Sequence, residues 1–542
     1  MFRKRQAEAY MAALADSEAT QSAWLLDSIV APNVDSAFGR THDFGAIRTV
    51  DDFRRAVPIR DYEGFRDDVE RIDRGEAAVL TTEPTKRFFT TSGSTARPKY
   101  IPVTQSFIRD KSRAFGIFWD LVFSQHPGVA KGRMVTNFSD AGRPEPSAGG
   151  LPTSSESAYW ASVTAATQRK KPVVPHAVSK IADHDARYYA IARVLLEREF
   201  TAIMALNPST ILLLFKTLED QIDRLLADVE NGTLSDVYSI DDEARAAVLE
   251  AVAPNPARAK ELRGLLAADF PRLPASKAFP ALELAVSWRS PMLAPYLERL
   301  EPHLGGVAVR DYVSMASEGI LAIPLADGES GGALGVGICF YELRPEDSTE
   351  TILPHEAEVG GEYVVVLTNR AGLYRYDIGD VVRVKRFEGT TPVVEFLHRT
   401  GRTSSLTGEK LTEAQVTAAA TEVLDNQHVE SFTLAPVVDG ELPHYVLLVE
   451  TRATAERSML QHAAATLDAA IGKYNGEYAG KRKSRRLGAP EVWQVAGGSY
   501  AALKAEKIAA GGADLQYKHV HLTRDAAFVG RFEITERFRG TD

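Results

Sequence analysis

Residues 87–99 read Arg87-Phe88-Phe89-Thr90-Thr91-Ser92-Gly93-Ser94-Thr95-Ala96-Arg97-Pro98-Lys99. An apolar run leads into small, mostly hydroxyl-bearing residues, and the Pro-Lys pair is followed by a second strand-like run, YIPV. Small residues let the backbone approach a phosphate chain, where N–H and O–H groups donate hydrogen bonds and a lysine neutralises charge. A plain Ser/Thr/Gly loop between two strands is the alternative. The ordered pattern T-S-G-S-T-x-x-P-K favours a phosphate loop. Its candidate binding residues are Thr91, Ser92, Gly93, Ser94, Thr95 and Lys99.

The patterns around this loop predict an α/β fold. Helical periodicity extends over residues 1–31 and 181–230, whereas residues 280–400 contain short β-branched runs that are broken by Gly, Pro and Asn. Helices that alternate with strands indicate α/β architecture. A chain of 542 residues is also too long for one core, so at least two domains are expected.

The last 140 or so residues read as a separate α+β unit. A polar, Gly-containing stretch at 399–409 precedes helical patterns at 412–424 and 455–472. Between those helices, the runs TLAPVV and HYVLLVE flank Asp439-Gly440, which predicts a hairpin. We therefore expect an N-terminal domain over 1–402 and a C-terminal domain over 403–542.

A second motif, Asp311-Tyr312-Val313-Ser314-Met315-Ala316-Ser317-Glu318-Gly319, ends a predicted strand with small residues and a carboxylate. Magnesium is commonly held by one or two carboxylates together with substrate phosphates. Glu318 is the candidate metal ligand and Tyr312 a candidate cover for an aromatic base. Taken alone, Glu318 would more often be an ordinary exposed turn residue.

Three further motifs lie downstream. In Leu373-Tyr374-Arg375-Tyr376-Asp377-Ile378-Gly379-Asp380, a Gly-Asp turn between strand-like runs can present Asp380 to the vicinal hydroxyls of a ribose. A hairpin turn of no further role is as good an interpretation of that segment alone. Arg399 suits phosphate or ribose contacts, and Lys518, in a late segment, can approach a reacting phosphate. The alternatives for these two are a solvated basic turn and an exposed lysine.

The bulk properties exclude several classes. The net charge of −10 disfavours a general nucleic-acid partner, and the apolar runs are too short for a membrane span. One cysteine, Cys339, allows neither an internal disulfide nor a cysteine-based zinc site, so a cytoplasmic location is expected. No Walker loop, H-E-x-x-H or G-x-S-x-G motif is present.

The order of these motifs resembles the adenylate-forming superfamily of acyl-CoA synthetases, adenylation domains and luciferases. The whole chain is more closely similar to the Gretchen-Hagen-type acyl acid–amido synthetases, which are known from plant auxin and jasmonate conjugation and from bacteria. The similarity begins at Phe38-Gly39-Arg40-Thr41-His42-Asp43-Phe44 and continues through the motifs above to Gly408-Glu409-Lys410-Leu411-Thr412-Glu413 and Gln516-Tyr517-Lys518. In the plant members the phosphate loop is typically one residue longer, so their substrate preferences are not carried over.

The resemblance implies a fold and a set of roles. The fold is a large N-terminal domain of α/β sheets with a β-barrel-like part, followed by a small mobile α+β domain. The implied cofactors are ATP and Mg²⁺, with Glu318 on the metal and Ser317 beside the phosphates. Tyr312 would lie near adenine and Asp380 with Arg399 on the ribose. The implied catalytic residues are Glu318, Lys410 and Lys518.

The predicted activity is the conversion of a small carboxylic acid to an acyl-AMP and its transfer to an amine such as an amino acid. Nothing in the sequence identifies the acid, the amine or the oligomeric state. Two alternatives stay open: an acyl-CoA ligase that shares the first step, and a non-catalytic nucleotide-binding regulator.

Overall fold

The structure is a computed structural model, and the chain in it divides into two compact units, Met1–Phe396 and Leu397–Asp542. The described residues are 4–91, 99–136, 145–167, 172–269, 273–345, 348–400, 403–404, 406–407, 409, 411–425, 427–438, 442–452, 457–483, 487–509 and 519–540. The predicted boundary near residue 402 and the predicted mobility of the second unit stay predictions.

The helices are distributed over both units. Those of the first unit are α1 (Lys4–Leu14), α2 (Ser17–Leu25), α3 (Ala37–Thr41), α4 (Val50–Ala56), α5 (Arg66–Asp73), α6 (Gln105–Gln125), α7 (Pro127–Lys131), α8 (Glu156–Thr167), α9 (His176–Ser179), α10 (His184–Leu195), α11 (Pro208–Asp220), α12 (Ile222–Asn231), α13 (Asp242–Ala251), α14 (Pro256–Asp269), α15 (Ala275–Ala278) and α16 (Ala294–Leu304). Those of the second unit are α17 (Glu413–Val423), α18 (Arg457–Tyr474), α19 (Gly476–Lys483) and α20 (Ser499–Ala509).

The strands of the first unit are β1 (Arg87–Thr91), β2 (Lys99–Val103), β3 (Met134–Val135), β4 (Glu145–Pro146), β5 (Pro152–Ser154), β6 (Ala202–Met204), β7 (Leu284–Val286), β8 (Ala308–Arg310), β9 (Ser314–Ala316), β10 (Gly319–Ile323), β11 (Gly332–Leu334), β12 (Phe340–Pro345), β13 (Glu362–Thr368), β14 (Tyr376–Glu388) and β15 (Thr391–Arg399). Those of the second unit are β16 (Thr403–Ser404), β17 (Leu411–Thr412), β18 (Val429–Val437), β19 (His444–Thr451), β20 (Glu491–Val495) and β21 (Ile534–Arg539).

Three sheets organise the first unit. A parallel sheet has the order β3-β6-β7-β8, and apolar side chains of α10 to α16 form a core with it. A seven-stranded sheet has the order β12-β13-β14-β15-β11-β10-β9 and shares a second core with α1, α2 and α6. The third sheet, β2-β1-β5-β4, contains the hairpin that brackets the predicted phosphate loop. This mixture confirms the α/β fold class, and the expected barrel-like part stays a prediction.

The main sheet in the described part of the second unit has the order β18-β19-β20-β21 and apolar cores on both faces, and β16 and β17 form a separate two-stranded sheet. The predicted hairpin is confirmed, because β18 and β19 pair antiparallel, with Val437 opposite His444. The helix predicted over 412–424 is α17, and a capping box explains its start: the Thr412 hydroxyl accepts the Gln415 N–H at 3.3 Å while the Gln415 side chain accepts the Thr412 N–H at 3.1 Å. The helix predicted over 455–472 is α18.

The interpretation of residues 181–230 as purely helical is wrong at one place. Strand β6, Ala202–Met204, lies between α10 and α11 and is an inner strand of the parallel sheet. A three-residue apolar strand that is hydrogen-bonded on both sides has no alternation to distinguish it from a helix, so the surrounding helical period conceals it.

Candidate active site

The predicted phosphate loop connects two paired strands. In the antiparallel hairpin of β1 and β2, Thr91 lies opposite Lys99, so both ends of the intervening loop are fixed at its base. Residues 92–98, which include Ser92, Gly93, Ser94 and Thr95, lie outside the described residues. For Thr91 the structure describes the backbone, which belongs to β1. The hairpin nonetheless determines where the chain enters and leaves the loop.

Lys99 lies on the ring of Tyr62. The Lys99 ammonium is 5.4 Å from the centroid of that ring, and the Tyr62 hydroxyl accepts the N–H of Tyr100 at 2.7 Å. Burial raises the pKa of Tyr62, and the negative charge of Glu318 raises this pKa as well. Tyr62 is therefore within electrostatic reach of both the lysine at the end of the loop and the candidate metal ligand.

Glu318 lies in the tight turn between β9 and β10, where only 4% of the residue is exposed. The Tyr376 hydroxyl donates to Glu318 Oε1 at 3.2 Å, and the Asn369 side-chain amide donates to the Glu318 carbonyl oxygen at 2.5 Å. The second and third sequence motifs thus meet at one carboxylate. The segment that carries Tyr62 also packs on Tyr376, since the Phe65 ring lies 5.8 Å from that ring, and this brings the phosphate-loop hairpin into the same region of the first unit.

Asn369 was not identified from the sequence as a site residue. It ends the turn-bounded run EYVVVLTN, and its Oδ1 accepts the Ala371 N–H at 2.8 Å, which builds the turn before β14. Gly372 in that turn has φ +89°, and a Cβ on it would lie 2.5 Å from Leu80 Cβ. The only available signal was the Asn at a strand end, which marks a turn but does not identify the group that its amide binds.

Arg375 in the third motif is a buried structural residue. Its guanidinium binds both oxygens of Glu342 at 2.8 Å, and it also donates to the carbonyl oxygens of Arg54 and Val57 at 2.7 and 2.8 Å. The neighbouring Tyr374 hydroxyl donates to the Leu80 carbonyl oxygen at 2.7 Å. These bonds fasten the beginning of β14 to the N-terminal segments and thereby fix Tyr376 in front of Glu318.

The expected Gly-Asp turn is wrong. Gly379 and Asp380 lie inside the long strand β14, in a bulge where the pairing with β13 passes from Val366 opposite Asp377 to Val364 opposite Val381. Gly379 allows this bulge because it adopts φ +72°, and the Asp377 carboxylate accepts its N–H at 2.8 Å. Asp380 is 5% exposed at this point.

Tyr312 follows β8 and packs among aromatic side chains of α6. Its ring stacks on Phe115 at a centroid distance of 6.0 Å and meets Phe118 edge-on at 5.3 Å. The Asp311 carboxylate fixes the backbone here, since it accepts the N–H groups of Tyr312 at 2.8 Å and Gly331 at 2.6 Å. Burial raises the pKa of Asp311 to about 7, against the lowering effect of these hydrogen bonds.

The remaining predicted residues are placed only in part. Ser317 lies in the same turn as Glu318, and Arg399 is the last residue of β15, but its side chain is not described. Lys410 and Lys518 lie outside the described residues. Each lies three positions before a residue of the second unit that the structure describes. These two residues are hydrogen-bonded, since Glu413 Oε1 accepts the N–H of His521 at 2.7 Å.

Chemically, this region of the first unit offers an acidic group beside a basic hairpin. No cluster of three or more potential metal ligands (His, Cys, Asp, Glu) occurs in the described part of the chain. A divalent cation at Glu318 would therefore take its other ligands from substrate and water, as Mg²⁺ commonly does with phosphates. None of the described helices is long and apolar enough to cross a membrane.

Comparisons with known proteins assign most of the chain to one family. Family models match three consecutive parts of the chain: the GH3 family N-terminal domain at residues 7–309, the GH3 family central domain at 333–399 and the GH3 family C-terminal domain at 410–527. A jasmonoyl–L-amino acid synthetase of Nicotiana attenuata is 25% identical over 495 residues, which cover 86% of this chain and 84% of that protein. An indole-3-acetic acid-amido synthetase of Arabidopsis thaliana is 24% identical over 524 residues, which cover 91% and 87%.

Solved structures show the same relationship at the level of the fold. The GH3.15 acyl acid amido synthetase in complex with 2,4-DB superposes with a TM-score of 0.85 at 21% identity, over 99% of this chain and 98% of that one. A 2-hydroxyisobutyryl-CoA ligase in its postadenylation state superposes with a TM-score of 0.56 at 13% identity, over 92% and 88%.

Proposed function

Because this chain belongs to the GH3 family, we propose that it is an ATP-dependent acyl acid–amido synthetase. It activates a carboxylic acid as an acyl-AMP and transfers the acyl group to an amine such as an amino acid. The observation that carries the proposal is the contact of the second and third motifs at Glu318 through the Tyr376 hydroxyl, with the phosphate-loop hairpin joined to the same region by the segment that carries Tyr62 and Phe65. The cytoplasmic location stays a prediction.

The residue roles belong to the same proposal. Glu318 binds Mg²⁺, Tyr312 lies near the adenine, and Asp380 with Arg399 binds the ribose. Ser317 lies beside the phosphates, and Lys410 and Lys518 approach the reacting phosphate. The phosphates are bound by Thr91, Ser92, Gly93, Ser94, Thr95 and Lys99. The donor set fits Mg²⁺, because one buried carboxylate plus phosphate oxygens is an ordinary ligand set for this ion.

The chemistry follows from the poor leaving group of a carboxylate. Attack of the acid on the α-phosphate of ATP forms a mixed anhydride and expels pyrophosphate. An amine then attacks the acyl carbon, the tetrahedral intermediate loses a proton, and AMP departs. Positioning and neutralisation of phosphate charge lower the barrier to the first step. Bound Mg²⁺ supplies part of that neutralisation. We also propose that the C-terminal domain reorients between the two half-reactions.

Acid-dependent exchange of radiolabelled pyrophosphate into ATP tests the first half-reaction. A panel of aryl and fatty acids should contain at least one acid that supports exchange. Glu318→Ala and Lys518→Ala should each slow this exchange at least about a hundredfold, because the first removes the carboxylate that would hold Mg²⁺ and the second removes a positive charge that opposes phosphate charge. Glu362→Gln, a change at an exposed carboxylate on β13, is the control and should leave the rate unchanged. Absence of exchange with every acid contradicts the proposal.

An acyl-CoA ligase is the second candidate, and the fold similarity to a CoA ligase supports it. The two candidates share the acyl-AMP and differ in the acceptor. After adenylation, the enzyme is given a mixture of amino acids in one reaction and coenzyme A in another. Amide formation supports the synthetase, whereas thioester formation alone supports the ligase.

A further inference from the structure

Lys111 is a charged side chain in the interior of the first unit. It lies on α6, and its side chain is 1% exposed. Its ammonium donates to Glu156 Oε1 and to the Ala316 carbonyl oxygen, both at 2.7 Å, and lies 5.2 Å from the centroid of the Phe107 ring. The two hydrogen bonds and the nearby ring compensate the burial of this charge.

The ion pair joins three elements. Glu156 is the first residue of α8, and its Oε1 also accepts the Trp160 indole N–H at 3.0 Å. Ala316 is the last residue of β9. Lys111 therefore connects α6 and α8 to the end of the strand from which the turn with Glu318 begins.

That turn is held from two sides. Ala316, two residues before Glu318, has its carbonyl bound by the Lys111 ammonium, and the Glu318 carbonyl is bound by the Asn369 amide. Glu318 lies between these two anchors, and its carboxylate is oriented by Tyr376. Because Lys111 is charged, its bond to Ala316 is the stronger kind of hydrogen bond.

Stability alone does not require this ion pair. Replacement of a buried ion pair by apolar side chains of similar volume is often neutral or stabilising. An apolar pair between α6 and α8 would fill the same space. It would leave the Ala316 carbonyl without its donor, however, and the turn would be free to shift.

We propose that Lys111 is a positioning residue that fixes the Ser317-Glu318 turn for Mg²⁺ and nucleotide binding, with Glu156 as its counter-ion. This role rests on the proposed function, in which Glu318 is the metal ligand. Lys111 acts through the Ala316 backbone and contacts neither substrate nor metal.

The test compares single and paired substitutions. Lys111→Met leaves Glu156 charged and buried, so the melting temperature should fall. The double variant Lys111→Met/Glu156→Met removes both charges and should recover most of that loss. Both variants should still need about tenfold more Mg²⁺ for half-saturation, because displacement of a ligand by a fraction of an ångström weakens a site strongly.

Two measurements on the variants do not depend on turnover. Calorimetry gives the affinity for Mg²⁺ with a non-reacting α,β-methylene analogue of ATP, and hydrogen exchange gives the protection of the amides of Ser317 and Glu318. In the double variant, the affinity and the amide protection should both be lower than in the wild type. Lys111→Arg keeps a cationic donor and should be less affected than Lys111→Met.

Arg193→Met is the matched control. Arg193 is also a buried cation, bound to Glu197 at 2.6 Å and to the carbonyl oxygens of Thr233 and Asp228, but it lies on α10, a helix of the parallel-sheet core. The Arg193→Met substitution should lower the melting temperature without changing the Mg²⁺ concentration needed for half-saturation. A double variant that regains both stability and wild-type affinity for Mg²⁺ and the analogue overturns the positioning role. A wild-type protein that binds them but exchanges pyrophosphate with no acid contradicts the proposed function alone.

Discussion

Substitution of Arg375 by methionine should destabilise the first unit by about 3–5 kcal/mol, the usual effect of removing one partner of a buried ion pair. Arg375 is 7% exposed, and Glu342, which it binds through two parallel hydrogen bonds, is 1% exposed. Methionine keeps most of the aliphatic stem of arginine and leaves Glu342 charged in the interior, with the Arg54 guanidinium at 3.3 Å as its remaining ion-pair partner. Arg375 also adopts φ +46°, and methionine carries the same backbone strain, so the comparison isolates the loss of charge and hydrogen bonds.

The expected change in melting temperature follows from the size of the unit. Unfolding entropy of about 2.1 cal/mol/K per residue, over the unit Met1–Phe396, gives about 1.2 °C per kcal/mol. The loss should therefore be about 4–6 °C, measured by calorimetry and checked by urea denaturation followed through tryptophan fluorescence.

Two controls complete this prediction. Arg383→Met breaks an ion pair with Glu362 in which both side chains are 43% exposed, and exposed pairs contribute at most about 1 kcal/mol. The double variant Arg375→Met/Glu342→Met should recover part of the loss. If Arg375→Met costs less than about 1 kcal/mol, the ion pair does not fasten β14. A double variant as unstable as the single one would assign the loss to the carbonyl contacts of Arg375.

Three further outcomes are expected. Tyr376→Phe removes the hydroxyl bound to Glu318 Oε1, and since a hydrogen bond to a charged group contributes about 1.5 kcal/mol or more, the Mg²⁺ concentration for half-maximal pyrophosphate exchange should rise by about tenfold or more. An unchanged requirement would show that this contact does not orient the carboxylate. Burial and the charge of the neighbouring histidine lower the pKa of His519 to about 3, so between pH 6.5 and 3 the unfolded chain binds a proton that the folded chain does not. The free energy of unfolding should thus fall with falling pH, by up to about 2 kcal/mol at pH 5, and His519→Gln should flatten that slope in urea titrations; an equal slope in both proteins contradicts the assignment. Gly372→Ala should cost about 1–3 kcal/mol in thermal unfolding, because φ is +89° and the new Cβ would meet Leu80 Cβ at 2.5 Å; Gly480→Ala, where a Cβ meets nothing within 4 Å, is its control.

Local patterns predicted the elements that local physics determines. The alternation and turn residues around the β18–β19 hairpin, and the Thr412 capping box of α17, are complete within a few residues of sequence. The same is true of the β1–β2 hairpin around the phosphate loop. The order of the motifs added the resemblance to the acyl acid–amido synthetases, and the GH3 family matches confirm that family.

The features that local patterns did not predict depend on contacts between residues that are distant in sequence. Lys111 reads as one more polar residue on a helix, and its partners lie 45 and 205 positions away, at Glu156 and Ala316. Gly379 predicts a positive φ but not whether a hairpin turn or a bulge uses it, since both accept glycine there. The choice between the two is made by the pairing with β13, which no local pattern contains.

The base of the β1–β2 hairpin has a consequence for related sequences. Because Thr91 and Lys99 are paired across the hairpin and Lys99 rests on Tyr62, the position of the lysine is fixed by contacts outside residues 92–98. An insertion of one residue in such a connection adds only a small closure entropy. A one-residue insertion between the two strands should therefore leave the cation in register, and alignments of distant homologues should be anchored on the two strands rather than on the residues between them.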